Sequence, residues 1–326
     1  MKIYIPMRGY DWTPEVPICD LEYDRFLTEI SSLDNDPRLI KLLDENEEKK
    51  YFLKGITFSV LTGYPHKKMM RLSEKYPEFY SEYIGEFLVV DLKFIRHGSR
   101  PERFLFYPNL FLRQISVILG LCYGTPIEFL PGIVINGKQF IGMTEYVGSA
   151  FNQAYDSMNE LQWPALDTLT LDQVLNWIEN NDIHLNLISD SSASRAVMAY
   201  SHLFNYSLRE TESAFLFWCM LGIEALYATG SNNILNQIHT KIYLVFGEPQ
   251  QFQKKLKKLY EYRSRLIHGD LNFSAKFHMG FGDQKLEYQD YVGFAASLLI
   301  CSIKRLISKN LSTYEFEYSW SNIENT

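Results

Sequence analysis

Cysteine is scarce and scattered in this chain. Its four thiols, Cys19, Cys122, Cys219 and Cys301, lie far apart among 326 residues, in no spacing that a zinc site, a redox pair or a disulfide framework would use. Cys219 and Cys301 fall in apolar helical stretches, where a buried thiol in a reducing compartment belongs. There is no internal repeat, no low-complexity tract and no clustered set of carboxylates that would hold a metal. The N-terminus (MKIYIP) has no signal-peptide pattern. The longest apolar stretches, near 214–228 and 291–303, fall short of a bilayer's width, and the first carries Glu224. The expectation is a soluble, cytoplasmic chain with no cofactor and no membrane partner.

An apolar fraction of 46%, with 15% aromatics, is ample for substantial cores, and the length suggests about two domains. The net charge of −7 is unevenly distributed. Residues 190–310 carry 14 Lys and Arg against 10 Asp and Glu, a net +4, and the remainder carries 18 against 29, a net −11. The second half is therefore the half suited to a polyanion.

Residues 1–185 read as a mixed α/β N-terminal domain without an assignable role. Strand-like runs occupy Lys50–Leu61 and Gly85–Ile95, rich in β-branched and aromatic residues. Asn136-Gly137 between Ile133 and Ile141 signals a hairpin turn, and Pro108–Leu121 and Leu171–Asn180 have helical patterns. The Asp- and Ser-rich stretch Asn186–Ala193 is the expected hinge to a helical module over 186–312. The acidic, aromatic tail, 313–326, is expected to be loose. The segment Phe94–Pro101 (FIRHGSRP) resembles the Arg-His-Gly motif of histidine phosphatases, but Arg100 and Pro101 are adjacent where that motif spaces them, and no βαβ run follows.

The most informative feature is Arg263-Ser-Arg-Leu-Ile-His-Gly-Asp270. In a helix over Gln251–His268, Phe252, Leu256, Leu259 and Leu266 recur at i, i+4, i+7 and i+14, and the missing member of the stripe, i+11, is Arg263. Lys254, Lys258, Glu261 and Arg265 form a separate, solvated stripe. A guanidinium cannot shed its charge as a lysine can, so on the buried stripe it must be paired or face a cleft. Its natural partner is Glu224, the only charge between Ser213 and Thr229, because a buried carboxylate also needs a partner. Gly269 suits the C′ position, placing His268 in the last turn with Ser264 one turn before it. A fixed cation, a group that exchanges protons near neutral pH and a nearby hydroxyl suit phosphodiester chemistry. The alternatives are an architectural ion pair for Glu224 and Arg263 and a helix-capping role for His268. The same Arg-to-His pattern recurs at Arg195 and His202, where surface or structural roles are the simpler reading.

The segment Leu259–Gly269 (LYEYRSRLIHG) resembles the tyrosine, Arg-Ser and His-Gly signature of the HEPN superfamily, in particular its Apea-like branch. Upstream, Phe217–Tyr227 (FWCMLGIEALY) is similar to that branch's apolar second helix, and Ser194–Tyr200 to its first. Tyr288–Ser308 is similar to the closing helix, so the resemblance covers about residues 186–312. It implies an all-α four-helix bundle following the α+β N-terminal domain, pairing into homodimers with the Arg/His pairs of two protomers lining one cleft. It further implies a metal-independent endoribonuclease acting on RNA, with bacterial defence or growth arrest as the setting and a trigger or activating partner outside the chain. Carried over by position, Arg263, Ser264 and His268 are the catalytic set and Glu224 the acidic residue of the second helix. Lys254, Lys258 and Arg265, with Arg195, are the candidate substrate contacts. The alternative is a non-catalytic module of the same type that binds a nucleotide or a protein.

Overall fold

Alternation builds the sheet. In the computed structural model, strand β1 (Lys2–Gly9) turns Ile3 and Ile5 into the main core and Tyr4 to the opposite side. Strand β3 (Phe87–Arg96) does the same, with Leu88, Val90 and Leu92 on one side and Phe87 and Val89 on the other, as period-2 side chains require. Strand β2 (Tyr51–Leu61) pairs with β3, and β1 lies between β3 and the hairpin of β5 (Ile133–Asn136) and β6 (Gln139–Met143). The order is β2-β3-β1-β5-β6, with short β4 (Ile127–Phe129) also on β1, and every one of these pairings is antiparallel. The structure describes residues 1–9, 18–44, 51–61, 71, 74–75, 87–96, 105–123, 127–129, 131–145, 147, 152–185, 190–204, 212–230, 232–247, 252–270 and 284–316. Residues 97–101 of the Arg-His-Gly segment and 186–189 of the expected hinge lie outside them.

Helices α1 (Ile18–Ser32) and α2 (Pro37–Asp44) pack on β2. Helix α3 (Phe106–Cys122) lays Phe111 against Phe58 of the sheet. Next come α4 (Asn152–Leu161), α5 (Leu171–Asn180), α6 (Ser192–Ser201), α7 (Glu212–Tyr227), α8 (Ile234–Phe246), α9 (Phe252–His268) and α10 (Gln284–Ser308). The protein is thus of mixed α+β class. Helix α10 is its axis, touching α3, α4, α5, α6 and α7. Gly222 lets α7 approach closely, for a Cβ there would sit 2.7 Å from Leu299 Cδ1 and 3.1 Å from Ala199 Cβ.

Several expectations change. The hairpin turn is Gly137-Lys138, one residue on, with Gly137 at φ +64° and Asn136 paired to Gln139. The stretch Asp290–Ser308 is long and apolar enough to cross a membrane, but nearly all of it is buried inside the fold, so it is the core helix. The core runs without a break from Ile3 to Ile307 across residue 185. The expected hinge ends in an N-cap, where the Ser191 hydroxyl accepts the Ser194 N–H at 3.0 Å. The start of the tail is not loose. Tyr314 stacks on Tyr227 at 5.3 Å and donates its hydroxyl to the Ser302 carbonyl at 2.7 Å, and Phe316 lies beneath the Lys241 ammonium. Cys122, Cys219 and Cys301 are free and buried, and burial pushes their pKa values upward, to about 12 for Cys301.

Because α10 is the common packing partner, truncating its centre should be expensive. Leu299→Ala, at a position with no exposed surface, is expected to lower unfolding stability by about 2–5 kcal/mol. Denaturant unfolding measures it, and a loss below about 1 kcal/mol would contradict this placement of the core.

Candidate functional site

Helix α9 gives the site its floor. Leu256 and Leu259 are buried, Leu266 packs partly buried against the core, and Lys254, Lys258, Glu261 and Arg265 are exposed, so the two stripes separate as their spacing dictates. The helix ends where glycine permits. Gly269 has φ +82°, and the Asp270 N–H donates to the Arg265 carbonyl at 2.8 Å, the six-to-one bond of a Schellman cap.

Arg263 meets Glu224. Its Nη2 lies 3.4 Å from Glu224 Oε1, the arginine side chain 34% exposed and the glutamate 20%. The pair therefore sits at the rim of the core, not within it, and an unsatisfied charge costs less here than in a dry interior. A third group joins them. Among the described residues, the buried hydroxyl of Tyr260, one turn before Arg263 on α9, has no hydrogen-bond partner, and Glu224 Oε1 likewise accepts no hydrogen bond. Burial above all, then the Glu224 carboxylate, raises the Tyr260 pKa, against a smaller opposing effect of Arg263. The phenol therefore stays neutral, able to donate.

The other expected residues are spread around α9. Ser264, Arg265 and His268 are exposed. Among the described residues His268 has neither a hydrogen bond nor an ion pair, so its side chain does not cap the helix carbonyls. His268 is five positions after Arg263, which places them roughly 140° apart around the helix. Lys254 and Lys258 extend the exposed basic face toward the helix start. Arg195 does not join this group. It is exposed on α6, donating to the Asp190 carbonyl at 3.4 Å. His202 stacks flat on Trp218, centroids 3.6 Å apart, and burial lowers its pKa. Among the described residues no three His, Cys, Asp or Glu side chains converge as a metal site.

One feature escaped the sequence reading. Helix α7 looks apolar almost all round, but the side that carries Glu224 is open, with Phe217 50% and Leu221 43% exposed. Ile267 of α9 is 51% exposed. Helical spacing alone could have placed Phe217, Leu221 and Glu224 on one stripe, though nothing in it says that the stripe stays uncovered. Tyr260, within the signature segment, was also not singled out. The chain matches no family model, no curated protein and no solved structure.

The stacked His202 supplies a pH test. With its folded pKa below the ordinary 6.5, the folded state takes up a proton less readily than the unfolded chain. Its contribution is therefore present above that value and lost as pH falls below it. His202→Phe keeps a flat ring on Trp218 without the titration. From about pH 7.5 to 5.5 the variant's urea midpoint should fall less than that of the wild type, and equal falls would remove His202 from the pH response.

Proposed function

We propose that this chain is a metal-independent endoribonuclease of HEPN type, working as a homodimer through its helical half. The observation that carries the reading is the Arg263–Glu224 pair. The carboxylate holds a permanently charged guanidinium at a partly open rim, beside exposed Ser264 and on a helix whose exposed residues include Lys254, Lys258, Arg265 and His268. A planar, always-charged donor is the side chain suited to gripping a phosphate and stabilising charge that develops on it. The open stripe of Phe217 and Leu221, with Ile267 close in sequence to His268, supports pairing of two copies next to the charged groups.

In this mechanism RNA lies across the two-fold cleft. Histidine acts as base toward the 2′-hydroxyl, whose oxygen attacks the neighbouring phosphorus. The bond from phosphorus to the 5′-oxygen breaks, and that oxygen takes a proton from histidine acting as acid. The products are a 2′,3′-cyclic phosphate and a 5′-hydroxyl. His268 carries the proton transfers, Arg263 binds the scissile phosphate, Ser264 adds a hydrogen bond and Glu224 orients Arg263. Lys254, Lys258 and Arg265 hold the phosphate backbone. Arg195, exposed on α6, is the remaining candidate phosphate contact. The setting in this reading is the cytoplasm, in defence or growth arrest, under a trigger or activating partner outside the chain.

A second reading rests on the wide angle between Arg263 and His268. Side chains that diverge on one helix suit two separate contacts, as in a non-catalytic module that holds a nucleotide or a protein's acidic residue. Purified protein incubated with mixed RNA in EDTA separates the two readings. Cleavage with cyclic-phosphate ends is expected, reduced at least about a hundredfold in Arg263→Ala and in His268→Ala, while DNA, lacking the 2′-hydroxyl, stays intact. Folded, dimeric wild type that leaves RNA whole would favour the binding module, and cutting of DNA would rule out the mechanism.

A further inference from the structure

Among the described residues, two buried oxygens at the site lack hydrogen bonds, and they are chemically complementary. The Tyr260 hydroxyl can donate, and Glu224 Oε1 can only accept. Both border Arg263, whose contact to Glu224 at 3.4 Å is an ion pair without a hydrogen bond. Tyr260 and Arg263, three residues apart, share one face of α9, and the phenol stands in the field of both charges.

We propose that Tyr260 is a positioning residue that holds Glu224 when Arg263 turns to a phosphate. The function assigned to it rests on the ribonuclease reading. A guanidinium committed to a carboxylate is a poor phosphate ligand, and one that leaves strands a largely buried anion. The desolvation penalty on Glu224 would then pull Arg263 back and oppose substrate binding. A neutral hydroxyl with no other partner among the described residues removes that conflict. It donates to Glu224 as the guanidinium departs, and the carboxylate keeps a charge-assisted hydrogen bond in either state. Arg263 can therefore move without leaving an unpaired charge behind. Phenylalanine in its place would fill the same space and donate nothing.

A melting cycle on the whole protein tests the coupling without any RNA. Tyr260→Phe, Arg263→Ala and the double variant are compared in the native and the Glu224→Gln backgrounds. With Arg263 gone, Tyr260 is the donor left to Glu224. The double variant should therefore lose about 2–4 °C more than the sum of the single losses, and the excess should vanish with Glu224→Gln. If the double variant fails to fold, recovery of folding by Glu224→Gln is the same result. Additive losses, or no recovery, overturn the proposal. In the cleavage assay Tyr260→Phe should raise KM roughly tenfold with kcat within about twofold, whereas an unchanged KM overturns the positioning role. Wild type that cuts no RNA would sink the ribonuclease reading alone, and the melting cycle would still decide whether Tyr260 serves Glu224.

Discussion

A lysine with no exposed surface stands near the C-terminal end of the core helix. Lys304 Nζ donates to the carbonyls of Cys122 at 3.3 Å and Tyr123 at 3.5 Å, where α3 ends and its carbonyls lack helical partners. Arg25 of α1 reaches the same place, donating to the carbonyls of Cys122 at 3.3 Å and Leu169 at 3.0 Å. Glu29 supplies the countercharge. Its Oε2 accepts the Tyr123 hydroxyl at 2.8 Å and the Leu171 N–H at 3.0 Å, and its Oε1 lies 3.5 Å from Arg25 Nε. Four helices (α1, α3, α5 and α10) thus meet at one buried polar junction. A cation this deep is tolerable only with its hydrogen bonds made, so the junction fixes how the sheet half and the helical half sit together.

The site inherits its geometry from that junction. Helix α10 is held at one end by Lys304 and presents Leu299 to Gly222 of α7, where the missing side chain allows close approach. The Tyr227 hydroxyl shares a hydrogen bond with the Ser302 hydroxyl at 2.8 Å, and Lys241 of α8 donates to the Tyr227 carbonyl at 2.8 Å. With α7 clamped at its end, Glu224 has one orientation relative to α9, and Arg263 finds it. A partly exposed ion pair contributes little stability by itself. Its precision comes from the packing behind it.

Much of the site was legible because an unshieldable charge on an apolar stripe makes a demand that few residues can meet. Arg263 at the vacant stripe position, Glu224 as the only charge between Ser213 and Thr229 and Gly269 as the helix stop all rest on such local constraints, and the structure brings Arg263 to Glu224 and ends α9 at Gly269. The shared core was less legible. Lys304 reads in sequence as a surface residue near a helix end, and only the convergence of α1, α3 and α5 shows otherwise. Strand β1 was missed because eight residues at the chain's start give little alternation to read, although Ile3, Tyr4 and Ile5 carry it. Helix α8 was passed over despite Ile234, Ile238 and Ile242 at four-residue spacing. The tail looked loose because its acidic composition masked two aromatic anchors, Tyr314 and Phe316, whose partners lie far back in the chain.

The placement of charge on α9 bears on how many copies the chemistry needs. Arg263 is turned toward α7, and His268 lies roughly 140° farther round and about 7.5 Å along the axis. A phosphate gripped by Arg263 over Glu224 is thus poorly placed for the imidazole of the same helix. In the proposed homodimer, a two-fold pairing that set a second α9 antiparallel beside the first would change this. The histidine of one copy would then approach the arginine of the other, and two histidines would serve the separate acid and base steps. Such a pairing would also cover the open apolar stripe and lower the dielectric around both ion pairs, which strengthens each guanidinium's hold on a phosphate. In the ribonuclease reading, dimer formation and assembly of the active site are therefore one event, and a monomer would retain the charges without the geometry.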